Sequence, residues 1–213
     1  MTVLRRGLLS DFFTGVAAKK LTLVETVSSK SNQHEFQGTK PLKALFGTDD
    51  RREMPTRFIW LSEEQTALTE VGFLSWSNVR KGKPRAPEYH LYYSKTAVTE
   101  MMKPGDAMFL ALRPDGTTLV IIAPAGSTMQ NQLVWLFGVS IQASSDFEFK
   151  DIEHGSPAEL DFAARYILDE LGLDIEEPSA ARLDEFLEPF GMDFEPHLIC
   201  RRLQLLRGWG YDK

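Results

Sequence analysis

What the sequence has little of narrows the possibilities first. Cysteine occurs once, at Cys200, in 213 residues, which excludes an intramolecular disulfide and points to a reducing cytoplasm. No apolar run approaches the roughly 20 residues that span a bilayer. The apolar stretch after Arg5 and Arg6 is broken by Asp11, so neither a membrane helix nor a secretory leader is expected. Histidine is sparse too: His34, His90, His154 and His197 have no metal-ligand spacing with one another or with Cys200, which argues against a zinc site. Gly126-Ser127 lacks the lysine and glycine spacing of a phosphate loop, and nothing presents Ser127 as a nucleophile with a base. Internal repeats and low-complexity tracts are missing as well.

What remains is the composition of a folded protein, with 43% hydrophobic, 11% aromatic and 25% charged residues. The length suits one domain with a smaller appendage. The net charge of −6 is unevenly spread: residues 1–150 carry 18 Lys and Arg against 15 Asp and Glu, giving +3, while residues 151–213 carry 6 against 15, giving −9. An acidic total therefore leaves room for a cationic face on the first part.

The first 150 residues read as short strands with a few short helices. Alternation of Leu21, Leu23 and Glu25 with Thr22, Val24 and Thr26 predicts a strand over 16–27. Leu42, Leu45 and Phe46 stand at helical spacing after Pro41, with Gly47 as the stop. Further strands are predicted over 57–61, 68–76 and 88–93, and a short helix over 95–102. Pro114-Asp115-Gly116 marks a tight reversal between strands over 107–113 and 117–123. Ser127 is placed to cap a helix ending at Gly138, and alternation over 146–152 predicts a last strand that closes the sheet. Without a regular βαβ repeat this is a mostly β small barrel or sandwich. From residue 154 to 213 an acidic helical connector is expected. Ser156-Pro157-Ala158-Glu159, a capping box with proline at the first helical position, opens a helix to Gly172, and a second helix follows over 180–190.

Two polar segments carry the functional signal. Arg80-Lys81-Gly82-Lys83-Pro84-Arg85 packs four cations into six residues between two strands, a loop able to reach phosphates and, through arginine, a guanine edge. Its bland reading is a solvated hairpin tip. Lys30-Ser31-Asn32-Gln33-His34-Glu35 holds the amide side chains that pair bidentately with adenine. Its bland reading is a polar turn before the Pro41 helix. Together the two segments point to double-stranded DNA as the partner.

Four stretches carry a family resemblance: Lys19-Lys20-Leu21-Thr22, Ser31-Asn32-Gln33-His34-Glu35-Phe36-x-Gly38, Pro84-Arg85-x-x-Glu88-Tyr89-x-Leu91-Tyr92-Tyr93, and Val120-Ile121-Ile122-Ala123-Pro124-Ala125-Gly126-Ser127. Over residues 10–152 the chain resembles the amino-terminal effector-binding domain of EcoRII-type restriction endonucleases. The resemblance implies a DNA-binding pseudobarrel over residues 1–153, of the kind shared with plant auxin-response factors, with two arms that embrace the duplex and read its major groove. Residues 30–38 would form one arm and 80–90 the other. Asn32, Gln33, His34, Arg85, Glu88 and His90 would read base edges, with Glu88 accepting from a cytosine amino group. Lys19, Lys20, Lys81 and Lys83 would hold phosphates, and Lys30, Glu35, Arg80 and Tyr89 complete the DNA-binding set. The family domain senses a second recognition site and relieves autoinhibition of a nuclease domain that follows it. That nuclease domain, and a second copy of the chain, are the implied protein partners. No cofactor is expected here, Mg²⁺ belonging to the nuclease domain.

The alternative is a nuclease in its own right. Pro114-Asp115 with Glu148-Phe149-Lys150 spells two halves of a signature in which two carboxylates bind Mg²⁺ and a lysine assists in activating water. Against it, Pro114-Asp115-Gly116 falls where a turn is required, and Glu148 and Lys150 are the polar face of an alternating strand.

Overall fold

A computed structural model describes residues 8–26, 35–63, 67–141, 146–155 and 162–173. They belong to a unit that runs through Ile175; a second unit, Glu176–Lys213, lies wholly outside them. Eight strands form one sheet: β1 (Gly15–Lys20), β2 (Glu35–Gln37), β3 (Arg51–Trp60), β4 (Leu68–Asn78), β5 (Tyr89–Tyr93), β6 (Ala107–Leu112), β7 (Thr118–Ala123) and β8 (Glu148–Asp151). Their order is β2-β5-β4-β3-β7-β6-β1-β8. All pairs are antiparallel except β3 with β7. Short helices α1 (Leu23–Thr26), α2 (Lys40–Phe46), α3 (Ala97–Met101), α4 (Thr128–Phe137) and α5 (Phe162–Glu170) join or cover it. The protein is mostly β, its sheet curled into a half-barrel. The curl brings the two edges together, since Phe36 on β2 lies 5.6 Å, edge-on, from Phe147 before β8.

Each face of the sheet has its own core. Inside the curl, Phe58, Trp60, Leu74, Trp76, Leu91 and Ile122 pack with Leu42 and Phe46 of α2 and Val98 of α3. On the outside, Ile59, Phe109 and Ile121 pack against Phe13, Leu133 and Phe137 of α4, and Ile167 and Leu168 of α5. Strands β6 and β7 are therefore buried at every residue, which is why both read as unbroken apolar runs. The Arg57 guanidinium fastens α5 at its C-terminal end, donating to Leu171 O at 2.7 Å and Gly172 O at 3.3 Å. It satisfies carbonyls that the helix leaves open and complements its dipole.

Several expectations hold. The 107–123 hairpin pairs Leu112 with Thr118 and Ala107 with Ala123, and Gly116 takes a positive φ of 81° in its turn. Ser127 caps α4, its Oγ accepting from Gln130 N at 3.0 Å, and Gly138 ends that helix in the left-handed conformation. Helix α2 stops at Gly47. No helix among the described residues is long and apolar enough to cross a membrane.

Three expectations change. The strand predicted over 16–27 ends at Lys20, because the Glu25 carboxylate reaches back one turn: its Oε2 accepts from Thr22 N at 2.8 Å and from Thr22 Oγ1 at 2.9 Å. That pairing starts α1 and overrides the alternation. Strand β3 begins at Arg51, six residues before the predicted Arg57, despite the Pro55 within it. Parallel pairing with β7 starts only at Thr56, so Pro55 meets no acceptor on that side. Strand β8 does not close the sheet; it pairs with β1 alone and forms an edge. The Ser156 capping box and the helix over 180–190 lie outside the described residues.

Candidate nucleic-acid interface

The β2–β5–β4 end of the sheet alternates between an apolar inner face and a polar outer one. Phe36, Leu91 and Trp76 point inward and are buried. The intervening residues fall into two outward rows, Glu35, Tyr92 and Ser75 in one, Gln37, His90 and Ser77 in the other. The polar run that ends at Glu35 and the 79–88 loop lead into this patch at opposite ends. The chain enters β2 at Glu35, which pairs with Tyr92, whereas the 79–88 loop enters β5 at Tyr89. From Glu88 to Tyr92 is four residues, about 13 Å of strand at ~3.3 Å per residue. Gly38 makes the close approach possible. Its N–H donates to Tyr89 O at 2.7 Å, and a Cβ there would stand 2.4 Å from that oxygen.

Between the arm roots lies a chain of charges. His90 Nδ1 is 3.0 Å from Glu35 Oε2, its Nε2 is 3.2 Å from Glu88 Oε1, and Glu88 also pairs with Arg80. Burial opposes the charged form of His90, but hydrogen bonds to Glu35 and Glu88 outweigh it and hold the imidazole above its ordinary 6.5. Glu88 is held below the usual carboxylate range, first by the His90 hydrogen bond and also by Arg80. Beside this chain Lys81 Nζ donates to Asp50 Oδ2 at 2.8 Å, while Asp50 Oδ1 accepts from Asn78 N at 2.9 Å. The Asn78 amide foremost, and then Lys81, lower the Asp50 carboxyl, and Asp50 raises Lys81 in return.

The loop thus sorts its own cations. Arg80 and Lys81 are engaged with carboxylates, whereas Lys83 and Arg85 project from the exposed stretch 81–87. Two of the expected DNA contacts are buried. Lys19 is 3% exposed, its ammonium 2.5 Å from Glu25 Oε1 and over the Phe147 ring, too enclosed to reach a phosphate. Tyr89 is buried, stacked on Trp76 at 5.0 Å, with its hydroxyl donating to Thr48 O at 2.7 Å, so it anchors the loop and does not face a ligand. Lys20 stays half-buried at the end of β1. Lys30, Asn32, Gln33 and His34 lie outside the described residues.

Two cations escaped the sequence reading. Arg52 is exposed at a bulge in β3, two residues after the Asp50 that binds Lys81, and Lys43 of α2 sits over the Tyr89 ring at 5.1 Å. The sequence held only the charged run Arg51-Arg52-Glu53, six residues ahead of the strand it predicted, so the bulge could not be placed from it.

The three residues of the nuclease alternative are divided between the β6–β7 turn and β8. Asp115 lies beyond Leu112, which pairs with Gly15, and accepts from Thr117 Oγ1 at 2.6 Å. Glu148 pairs with Ala18, three residues farther along β1 and on its other side, and accepts from Ser140 N at 3.0 Å. Lys150 sits on the outward face of β8 with Glu148. Among the described residues no group of three or more His, Cys, Asp or Glu side chains could hold a metal ion.

Compared with models of known protein families and with curated proteins, the chain matches none. The fold and the patch define a mostly β half-barrel with a charged, open outer face at one end.

Proposed function

We propose that the chain is a sequence-specific double-stranded DNA-binding module, a pseudobarrel that grips the duplex between the arms over 30–38 and 80–90. One observation carries this reading: the two polar segments are rooted at opposite ends of a single strand pair. Their separation of about 13 Å is close to the roughly 12 Å width of the B-DNA major groove. The surface between the roots is polar, and Lys83, Arg85 and Arg52 supply exposed cations around it. Arg85 is the residue for a base edge. Lys83 and Arg52 serve the phosphates. Asn32, Gln33 and His34 remain the base-reading candidates of the first arm. On the same reading the chain works as the effector-site sensor of an EcoRII-type restriction endonuclease, alongside a nuclease domain that uses Mg²⁺ and a second copy of itself.

A band-shift assay over a pool of short duplexes tests the reading. One duplex class should be retained at physiological salt against excess random DNA, and retention of none would sink it.

A further inference from the structure

A neutral imidazole has one N–H and can donate one hydrogen bond. His90 has a carboxylate oxygen within hydrogen-bonding distance of each ring nitrogen, Glu35 Oε2 at 3.0 Å and Glu88 Oε1 at 3.2 Å. Both contacts are donor-to-acceptor bonds only when the ring carries two protons. Glu35 opens β2, at the root of one arm, and Glu88 closes the loop that forms the other. The groups facing the ring are Glu35 and Gln37 from β2, Glu88 with its partner Arg80 from the loop, Ser77 from β4, and Tyr92 of its own strand, with ring centres 6.1 Å apart.

We propose that His90 is a positioning residue of the DNA site, tying the roots of the two arms together through both ring nitrogens, so that the arms are set for a duplex while the ring is doubly protonated. The inference rests on the DNA-binding reading, but the bridge itself can be observed without DNA. The charge count points the same way. With the ring protonated, Glu35, His90, Glu88 and Arg80 sum to zero. Loss of the proton removes one of the ring's two donors and leaves a net negative charge beside a phosphate backbone. Because the folded pKa is raised, the bridge is complete below the ordinary value of 6.5 and is lost as pH rises through the higher folded value.

Two measurements on the full chain separate the bridge from the binding. In the first, the His90 ring proton is followed by NMR in the free protein. The midpoint should stand above 6.5 and fall toward it in Glu35→Gln and in Glu88→Gln. A wild-type midpoint at or below the ordinary value, or one that neither variant moves, overturns the bridge. In the second, affinity for the retained duplex is measured at about pH 6 and about pH 9, either side of the histidine range. Wild type should bind more weakly at the higher pH, by on the order of tenfold, a typical coupling between two linked sites. His34, His154 and His197 also titrate, so the variants decide. His90→Gln should lose most of the pH dependence, and His90→Arg, a permanent cation with several donors, should bind at both pH values as wild type does at the lower. A pH dependence unchanged in His90→Gln overturns the positioning role. Failure of any duplex to bind at either pH overturns the DNA reading instead, with the NMR result still deciding the bridge.

Discussion

At the scale of single residues, the two lysines of the basic loop are alike in sequence and unlike in place. Lys81 spends its charge on Asp50, and Lys83 has the same loop and open solvent. Each phosphate contact contributes about 0.9 to the slope of log K against log salt. Lys83→Ala should therefore flatten the slope by close to one unit, whereas Lys81→Ala should change it less, since Asp50 is released as the ammonium goes. Arg85→Ala should act differently, narrowing the gap between preferred and random duplex by about 1–3 kcal/mol. Titrations at several salt concentrations check all three, and equal slopes from the two lysine variants would refute their separation. The sequence made the cations of this loop legible. It could not show which were already neutralised, because Asp50 is 31 residues from Lys81.

At the scale of elements, what could be read depended on whether the signal was local. Turns and caps were: Pro114-Asp115-Gly116, Ser127 and Gly47 each act through neighbours in the chain. The end of β1 was equally local, but two local signals competed there, and Thr22-x-x-Glu25 prevailed over alternation. The same Glu25 holds Lys19 inside the curl, and the burial of that pair could not be read locally because Phe36 and Phe147, distant in the chain, cover the ammonium. A buried ammonium loses more when a partner anion is removed than when it is itself replaced by an apolar chain of similar length. Glu25→Ala should thus destabilise the protein by on the order of 1–3 kcal/mol. Lys19→Met should cost less, since Glu25 keeps its two hydrogen bonds from Thr22. Urea unfolding midpoints of the two variants give the comparison, and a larger loss from Lys19→Met would reverse the argument.

At the scale of the whole molecule, the charge changes sign near residue 150, but the packing continues past it. The sequence displays the apolar stripe of α5 without naming the surface it covers. In the structure Ile167, Leu168, Leu171 and Leu173 are buried in the core outside the curl, and Arg57 from β3 grips the carbonyls at the helix end. Four such side chains, at about 1.5–3 kcal/mol each, contribute on the order of 6–12 kcal/mol, comparable with the entire stability of a typical domain, roughly 5–15 kcal/mol. A chain ended after residue 155 should therefore lose its cooperative unfolding transition, and duplex binding with it. Leu168→Ala in the full chain separates this from any direct role of the acidic region in recognition. It should lower stability by about 2–5 kcal/mol while leaving the preferred duplex unchanged, because α5 covers strands on the outer face and the arms are rooted on β2, β4 and β5. A chain ended after residue 155 that unfolds at the full-length midpoint would show that the body ends before α5 and that the helix is a connector.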